Sequence, residues 1–247
     1  MASGTDRAAR IEKVSTPDGA FDLTVWFPEA GHGPGILVIQ EIFGVGEYIR
    51  AVAEDLAALG YVVAAPDLFW RLKPGHQAVH DEEGVAESLD LGSRFDTAQG
   101  VADAAIALEH LAALPEVGGG LGIIGFCLGG SIAYFLAART QIDAVVSFYG
   151  SEVPGHTDVL AQISAPIQFH FGGSDPYIPR DQVARVEEAT RDSQNAETHV
   201  EEDAGHAFHN RKAPMFHNPE PAARAWQRTE EFLARYLPVQ REKQPQP

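Results

Sequence analysis

The sequence predicts an α/β protein in which helices cover both faces of a mainly parallel central sheet. Two apolar runs, over residues 35–39 and 61–65, lack the alternation of a half-exposed strand, as expected for strands buried on both faces. Helical segments separate successive strands, which is the pattern of a parallel sheet. The chain has 247 residues, of which 45% are hydrophobic, so it is long enough for a substantial core. We therefore expect a single domain over residues 1–247, with flexible arms at 1–10 and 239–247.

The other elements follow from local patterns along the chain. An opening antiparallel hairpin is expected at residues 11–14 and 21–27, because Pro17-Asp18-Gly19 between them is a turn signal. Residues 69–91 are irregular, and we interpret them either as a lid or pocket wall or as a plain surface excursion. Further strands are expected at 121–124, 143–149, 166–171 and 197–201, and helices at 47–59, 96–114, 132–138, 179–191 and 219–236.

Composition excludes several classes of protein. A net charge of −17 repels polyanions, so we expect no nucleic-acid partner. No apolar run reaches the roughly 18 residues needed to cross a bilayer, and the N-terminus lacks the apolar core of a secretory signal. The single cysteine excludes an internal disulfide and suits a reducing compartment. We expect a cytoplasmic protein without a membrane partner.

One stretch carries the signature of a nucleophile. In Gly125-Phe126-Cys127-Leu128-Gly129, an apolar strand turns sharply into a good helix sequence with a cysteine at the apex. This is the G-x-S-x-G nucleophile elbow with sulfur in place of oxygen. Glycine is needed on either side because side chains would collide where strand and helix crowd together. The alternative is that Cys127 is only a small buried hydrophobe.

The same turn also predicts an oxyanion hole. It places the Leu128 N–H at the start of a helix, where unpaired donors and the helix dipole favour a thiolate and an oxyanion. The Ile42 N–H, directly after the strand over residues 35–39 and Gln40-Glu41, is expected to be the second donor.

A base and an acid follow the cysteine in the order expected of a hydrolytic triad. Asp175 and His206 each come just after a predicted strand, and active sites of α/β sheets form at the carboxyl ends of strands. His206 would take the thiol proton and later activate water, and Asp175 would orient the imidazole. Taken singly, Asp175 could be a turn residue and His206 a histidine without a catalytic role.

Two further features of the sequence leave alternatives open. Glu41 follows a buried strand and needs a partner, either a cation such as Arg50 or the thiol of Cys127. The histidines His206, His209 and His217 could form a metal site. No H-E-x-x-H motif is present and the segment is expected to be a loop, so we predict no metal.

Taken together, these segments resemble the dienelactone hydrolase family, also called carboxymethylenebutenolidases. The resemblance spans roughly residues 11–237. It implies an α/β-hydrolase fold, no cofactor, and a Cys127–His206–Asp175 triad that opens lactones or esters through an acyl-enzyme. It also implies that Glu41 partners the thiol at rest and helps to form the thiolate when substrate arrives. The matching segments are Gln40-Glu41-Ile42-Phe43-Gly44-Val45, Pro66-Asp67-Leu68-Phe69, Gly125-Phe126-Cys127-Leu128-Gly129-Gly130, Gly172-Gly173-Ser174-Asp175 and Ala204-Gly205-His206-Ala207-Phe208.

The sequence departs from the family pattern at the arginines that bind the substrate carboxylate. One is expected four residues after the histidine, where this chain has Asn210 followed by Arg211, and the other in a segment around 84–89 that holds no arginine. Arg71 and Arg94 lie outside that segment. The predicted substrate-binding residues are Phe43, Trp70, Arg71, Tyr149, Phe208, Asn210 and Arg211, although aromatic side chains at strand ends are often only part of the core.

We therefore predict a cysteine-dependent hydrolase of a lactone or small ester, such as dienelactone, acting as a monomer or small homo-oligomer. One alternative is a broader carboxylesterase or thioesterase. Another is a non-catalytic ligand-binding protein on a hydrolase scaffold, since a fold does not fix a function.

Overall fold

In the computed structural model, which describes residues 9–240, one eight-stranded sheet organises the chain. Its strand order is β1-β2-β4-β3-β5-β6-β7-β8. The pairs β1–β2 and β2–β4 are antiparallel and all the other pairs are parallel, which confirms the predicted mainly parallel sheet. The strands are β1 Arg10–Thr16, β2 Gly19–Trp26, β3 Gly33–Ile39, β4 Val62–Pro66, β5 Val117–Phe126, β6 Ala144–Phe148, β7 Ile167–Gly172 and β8 Ala196–Glu201.

Helices pack against this sheet. Helices α3 and α4 contact each other, and α4 also contacts β3, β5 and β6. Helix α1 contacts β4, and the closing helix α6 contacts β6 and β7. None of the helices within residues 9–240 is long and apolar enough to cross a membrane. The helices are α1 Glu47–Ala58, α2 Glu82–Ser93, α3 Thr97–Ala112, α4 Leu128–Ala137, α5 Arg180–Thr190 and α6 Pro219–Tyr236, with short 3-10 turns at Val153–Gly155 and Thr157–Gln162.

The apolar runs of the sequence are the central strands. Every residue of β3, β4, β6 and β7 is buried, because neighbouring strands and helices cover both faces. Parallel strands end at the same edge of a sheet. The residues that directly follow β3, β5 and β7 and the loop after β8 are therefore brought together.

The structure corrects the prediction for residues 69–91, whose second half forms helix α2. The Asp81 side chain begins this helix by accepting a hydrogen bond from the Gly84 N–H at 2.8 Å, which is an N-cap. Two of its buried residues, Gly84 and Ser88, are not hydrophobic, so the buried face does not appear as an apolar stripe. A helix was therefore missed.

The predicted flexible arms lie mostly outside the described residues, which exclude 1–8 and 241–247. At the inner ends of these arms the prediction is wrong. Arg10 already belongs to β1 and is paired with Val25, and Val239 packs against the core beside Gly60.

Candidate active site

Cys127 stands at the sharp turn between β5 and α4. Its backbone has φ 55° and ψ −117°, a conformation that costs energy for a residue with a side chain. A Cβ on Gly125 would lie 1.9 Å from the Gly129 carbonyl oxygen, and a Cβ on Gly129 would lie 2.2 Å from the Ile39 carbonyl oxygen. The two glycines therefore allow the strand, the turn and the helix to approach closely enough to present the sulfur.

We expect Gly125→Ala to lower the free energy of unfolding by about 2–3 kcal/mol, since the added methyl group can only be accommodated by backbone movement. Gly118→Ala is the matched control because, within residues 9–240 and apart from its own chain neighbours, no heavy atom lies within 4 Å of its added Cβ. It should change stability by less than about 0.5 kcal/mol. Urea unfolding of both variants measures the difference. Equal stability of the two variants would show that the turn tolerates a side chain at Gly125.

The side chains of Cys127, His206 and Asp175 form one hydrogen-bonded chain. His206 Nε2 lies 3.1 Å from Cys127 Sγ, and His206 Nδ1–H donates to Asp175 Oδ2 at 2.7 Å. The other carboxylate oxygen, Oδ1, accepts from the backbone N–H groups of Tyr177 and Ile178 at 2.8 and 3.1 Å. Asp175 is therefore held by its own turn, and it fixes the orientation of the imidazole.

The surroundings of His206 favour its protonated form. Burial alone would lower its pKa, but negative charge on the Cys127 sulfur and the hydrogen bonds to Asp175 and Cys127 outweigh burial and raise the pKa to about 10. The rings of Tyr149 and Tyr177 lie 5.2 and 5.1 Å from the imidazole, measured between centroids. The site can therefore hold an imidazolium beside the sulfur at neutral pH.

Glu41 lies near the hydrogen-bonded side chains of Cys127, His206 and Asp175 but has other partners. Its Oε1 accepts a hydrogen bond from Asn210 Nδ2 at 2.7 Å and lies 3.4 Å from His80 Nε2. Its Oε2 is buried and has no hydrogen-bond partner within residues 9–240, and burial raises the pKa of the carboxyl group. Arg50, named as an example of a cation that could pair with Glu41, does not do so, because its guanidinium donates to the Val45 carbonyl at 3.2 Å. In this structure the thiol contacts His206, not Glu41.

The sulfur and the imidazole open into a cavity of about 150 Å³. Most of its walls are apolar, and they come from the loop after β3, from α2, from the loop after β7 and from the loop after β8. A larger cavity, of about 1270 Å³, lies at the amino ends of β3 and β5 and contains none of the triad. The smaller cavity is lined by Glu41, Ile42, Phe43, Val85, Leu89, Cys127, Ser151, Tyr177, His206, Ala207 and Phe216.

Three of the predicted substrate-binding residues lie elsewhere, so their prediction is wrong. The Trp70 Nε1–H donates to Asp103 at 2.9 Å, and Arg71 forms ion pairs with Asp103 and Asp18. Both side chains turn towards the opening hairpin, since Trp70 lies directly against Gly19.

The third misplaced residue is Arg211. Its guanidinium pairs with Asp55 at 2.6 Å and donates to the Ala51 carbonyl at 3.2 Å. Both partners belong to α1, so this cation is held on the helix and does not line the cavity.

The other predicted contacts lie in or just behind the cavity. Phe43 lines it. Tyr149 and Phe208 are fully buried and pack against each other behind the imidazole, with ring centroids 5.6 Å apart. Asn210 is also buried and binds Glu41. These three residues therefore support the site from behind.

One of the two interpretations of residues 69–91 was a lid or pocket wall, and α2 does supply a wall of the cavity, but the helix and its lining residues were missed. Val85 and Leu89 of this helix line the cavity, and His80, just before it, contacts Glu41. The spacing of Val85 and Leu89, four residues apart, was the available signal, since such residues share a helix face. Tyr177 and Phe216 were missed because they lie in loops without a pattern.

The histidines proposed as an alternative metal site point in different directions. His209 Nδ1 lies 2.8 Å from the Tyr48 hydroxyl, and its ring stacks on Trp226, whereas His206 faces Cys127. Among residues 9–240, no three His, Cys, Asp or Glu side chains are grouped so that they could hold a metal ion.

Comparisons with known proteins place this geometry in a family. The sequence model of the dienelactone hydrolase family matches residues 21–237. A carboxymethylenebutenolidase of a Pseudomonas species is 33% identical over 222 residues, which are 90% of this chain and 92% of that protein. A carboxymethylenebutenolidase of Pseudomonas putida is 31% identical over 223 residues, covering 90% of this chain and 94% of that protein.

Solved structures agree with these relatives. A crystal structure of a Klebsiella pneumoniae protein assigned as a dienelactone hydrolase superposes with a TM-score of 0.80 at 30% identity, covering 93% of this chain and 99% of that one. The dienelactone hydrolase of Anabaena variabilis, at 21% identity and a TM-score of 0.69, covers 93% of this chain and 98% of that one and shows the shared fold. The predicted resemblance and the predicted α/β-hydrolase fold are both confirmed.

Proposed function

Because the chain belongs to the dienelactone hydrolase family and is a hydrolase of carboxylic esters and lactones, we propose that it cleaves them through a thioester on Cys127. The observation that carries this proposal is the hydrogen-bonded chain from Cys127 through His206 to Asp175 at the wall of a cavity. Covalent acyl transfer needs a nucleophile in contact with a base, and an acid that orients the base.

In the first step, the Cys127 thiolate attacks the carbonyl carbon of the substrate, and the carbonyl π electrons move onto oxygen. The Leu128 N–H begins helix α4 and has no partner within the helix, so it is free to bind this oxyanion. The Ile42 N–H, at the cavity wall, is the proposed second donor. Such donors stabilise charge only as it develops in the transition state.

Collapse of the tetrahedral intermediate breaks the bond between carbon and the ester oxygen. The His206 imidazolium gives its Nε2 proton to the departing oxygen, which leaves as an alcohol and remains attached to the acyl chain when the substrate is a lactone. The neutral imidazole then takes a proton from water, whose oxygen attacks the thioester. The acid product leaves and the thiolate–imidazolium pair is restored.

Glu41 is the proposed partner of the thiol when Cys127 rotates away from His206. Glu41 and Cys127 line the same cavity, and Glu41 Oε2 has no hydrogen-bond partner within residues 9–240, so this oxygen can accept a hydrogen bond from the S–H group while the thiol keeps its proton. A thiol that is kept neutral between turnovers is less easily oxidised, because the thiolate is the reactive form.

Trapping the intermediate tests this function. We expect acid quenching during turnover of a chromogenic ester to give a protein whose mass is increased by one acyl group, carried on the peptide that contains Cys127. The adduct should be released by hydroxylamine, as a thioester is, and Cys127→Ala should give none. An adduct on another residue, or a product burst without an adduct on Cys127, would contradict the proposed nucleophile.

A further inference from the structure

We infer that this site takes esters and lactones whose acyl part is uncharged and apolar, and discriminates against substrates that carry a carboxylate there. The inference deepens the proposed function and rests on it. Three observations support it: the charges that line the cavity, the position of the neighbouring cations, and the apolar side chains at the cavity mouth.

The first observation is that, among the described residues 9–240, no lysine or arginine lines the cavity. Its titratable groups are Glu41, Cys127, Tyr177 and His206, and the carboxyl group of Glu41 is buried there. The cation among these described lining groups, the His206 imidazolium, is already held between the sulfur and Asp175. A carboxylate entering with the acyl chain would therefore lose its water without gaining a counterion, which is costly.

The second observation is that three cations close to the cavity walls in sequence are engaged elsewhere. Lys73 pairs with Glu87, and Arg94 pairs with Asp90 at 2.9 Å. Arg211 pairs with Asp55 on α1. With a net charge of −17 over the whole chain, long-range attraction does not favour an anionic substrate either.

The third observation is the side-chain pattern of the mouth. Val85 and Leu89 of α2 line the cavity, and Tyr177, in the loop after β7, lines it as well. Leu89 and Tyr177 remain 47% and 58% exposed, although large apolar side chains gain free energy when they are covered. An apolar acyl chain that extends out of the cavity would cover both.

A matched pair of esters tests the inference. 4-Nitrophenyl hexanoate and mono-4-nitrophenyl adipate share a leaving group and a six-carbon acyl chain, and differ in whether that chain ends in a methyl group or a carboxylate. We expect kcat/KM, corrected for spontaneous hydrolysis, to favour the hexanoate by at least about 100-fold, because the carboxylate meets apolar side chains and no counterion in the cavity or at its mouth. A ratio near one, or a preference for the adipate, would overturn the inference and leave the proposed function intact. Failure to cleave either ester would overturn the proposed function, and the inference with it.

Two variants of α2 locate the cause of the preference. Leu89→Arg places a cation at the cavity mouth. We therefore expect the ratio of kcat/KM for the hexanoate to kcat/KM for the adipate to fall at least about tenfold, chiefly because KM for the adipate is lowered. Ala86→Arg adds the same charge to an exposed position of the same helix that does not line the cavity, and it should leave the ratio within about twofold. If Ala86→Arg narrows the ratio as much as Leu89→Arg does, the overall charge of the protein sets the preference, and the inference about the cavity is wrong.

Discussion

Replacing Cys127 with alanine is expected to lower kcat/KM by roughly 10⁴–10⁶-fold, because no covalent intermediate can form and only transition-state binding remains. The side chain is small and only partly buried, and alanine adds no Cβ strain that cysteine lacks at φ 55°. The free energy of unfolding should therefore change by less than about 1 kcal/mol. The measurement is the release of 4-nitrophenolate from the neutral ester 4-nitrophenyl hexanoate, repeated as the decay of dienelactone absorbance.

The same variant tests the electrostatics of the site. Negative charge on the Cys127 sulfur is the largest cause that raises the pKa of His206 towards about 10, so alanine at this position should lower that pKa. An NMR titration of the His206 ring in both proteins follows the change. Cys127→Ser is the matched variant that keeps a nucleophilic atom in the same turn. Alanine activity equal to that of the wild type would show that the reaction uses another nucleophile.

The elbow was predictable because its requirements are local. Gly125, Cys127 and Gly129 lie within five residues of one another, and their spacing alone predicts the turn that the structure shows. Asp175 and His206 were found because parallel strands end at one edge, so the position of a residue after a strand predicts where it lies. Their contact distances follow from the fold, which the sequence also predicted.

The cavity walls were less predictable because they depend on tertiary contacts. Arg71 and Arg211 were expected at the substrate, but Asp18 and Asp103 bind the first and Asp55 binds the second. No pattern in the sequence identifies which of the many carboxylates each arginine will meet.

Glu41 likewise needed a partner that the sequence could not identify. The partners it has, His80 and Asn210, lie 39 and 169 residues away along the chain.

Asp175→Asn is expected to lower kcat by roughly 10²–10⁴-fold while leaving the fold intact. The amide oxygen of asparagine can still accept the hydrogen bonds that Oδ1 accepts from the Tyr177 and Ile178 N–H groups, so the turn is kept. Its NH₂ group then faces His206 Nδ1, which must become an acceptor. The imidazole proton moves to Nε2, the atom 3.1 Å from the sulfur, where it blocks transfer of the thiol proton.

The pH dependence separates this effect from simple loss of structure. In the wild type, activity should persist through neutral pH and fall as the imidazolium loses its proton with a pKa of about 10. Because the Asp175 carboxylate is one of the causes that raise this pKa, its removal lowers the pKa and moves the alkaline limb of kcat/KM to lower pH. Asp203→Asn is the control, since Asp203 is exposed in the same loop as His206. This variant should change neither kcat nor the pH at which kcat/KM falls on the alkaline side. If the alkaline limb of kcat/KM in Asp175→Asn lies at the same pH as in the wild type, this carboxylate does not stabilise the imidazolium. The hydrogen bond of 2.7 Å between Asp175 and His206 would then have only a structural role.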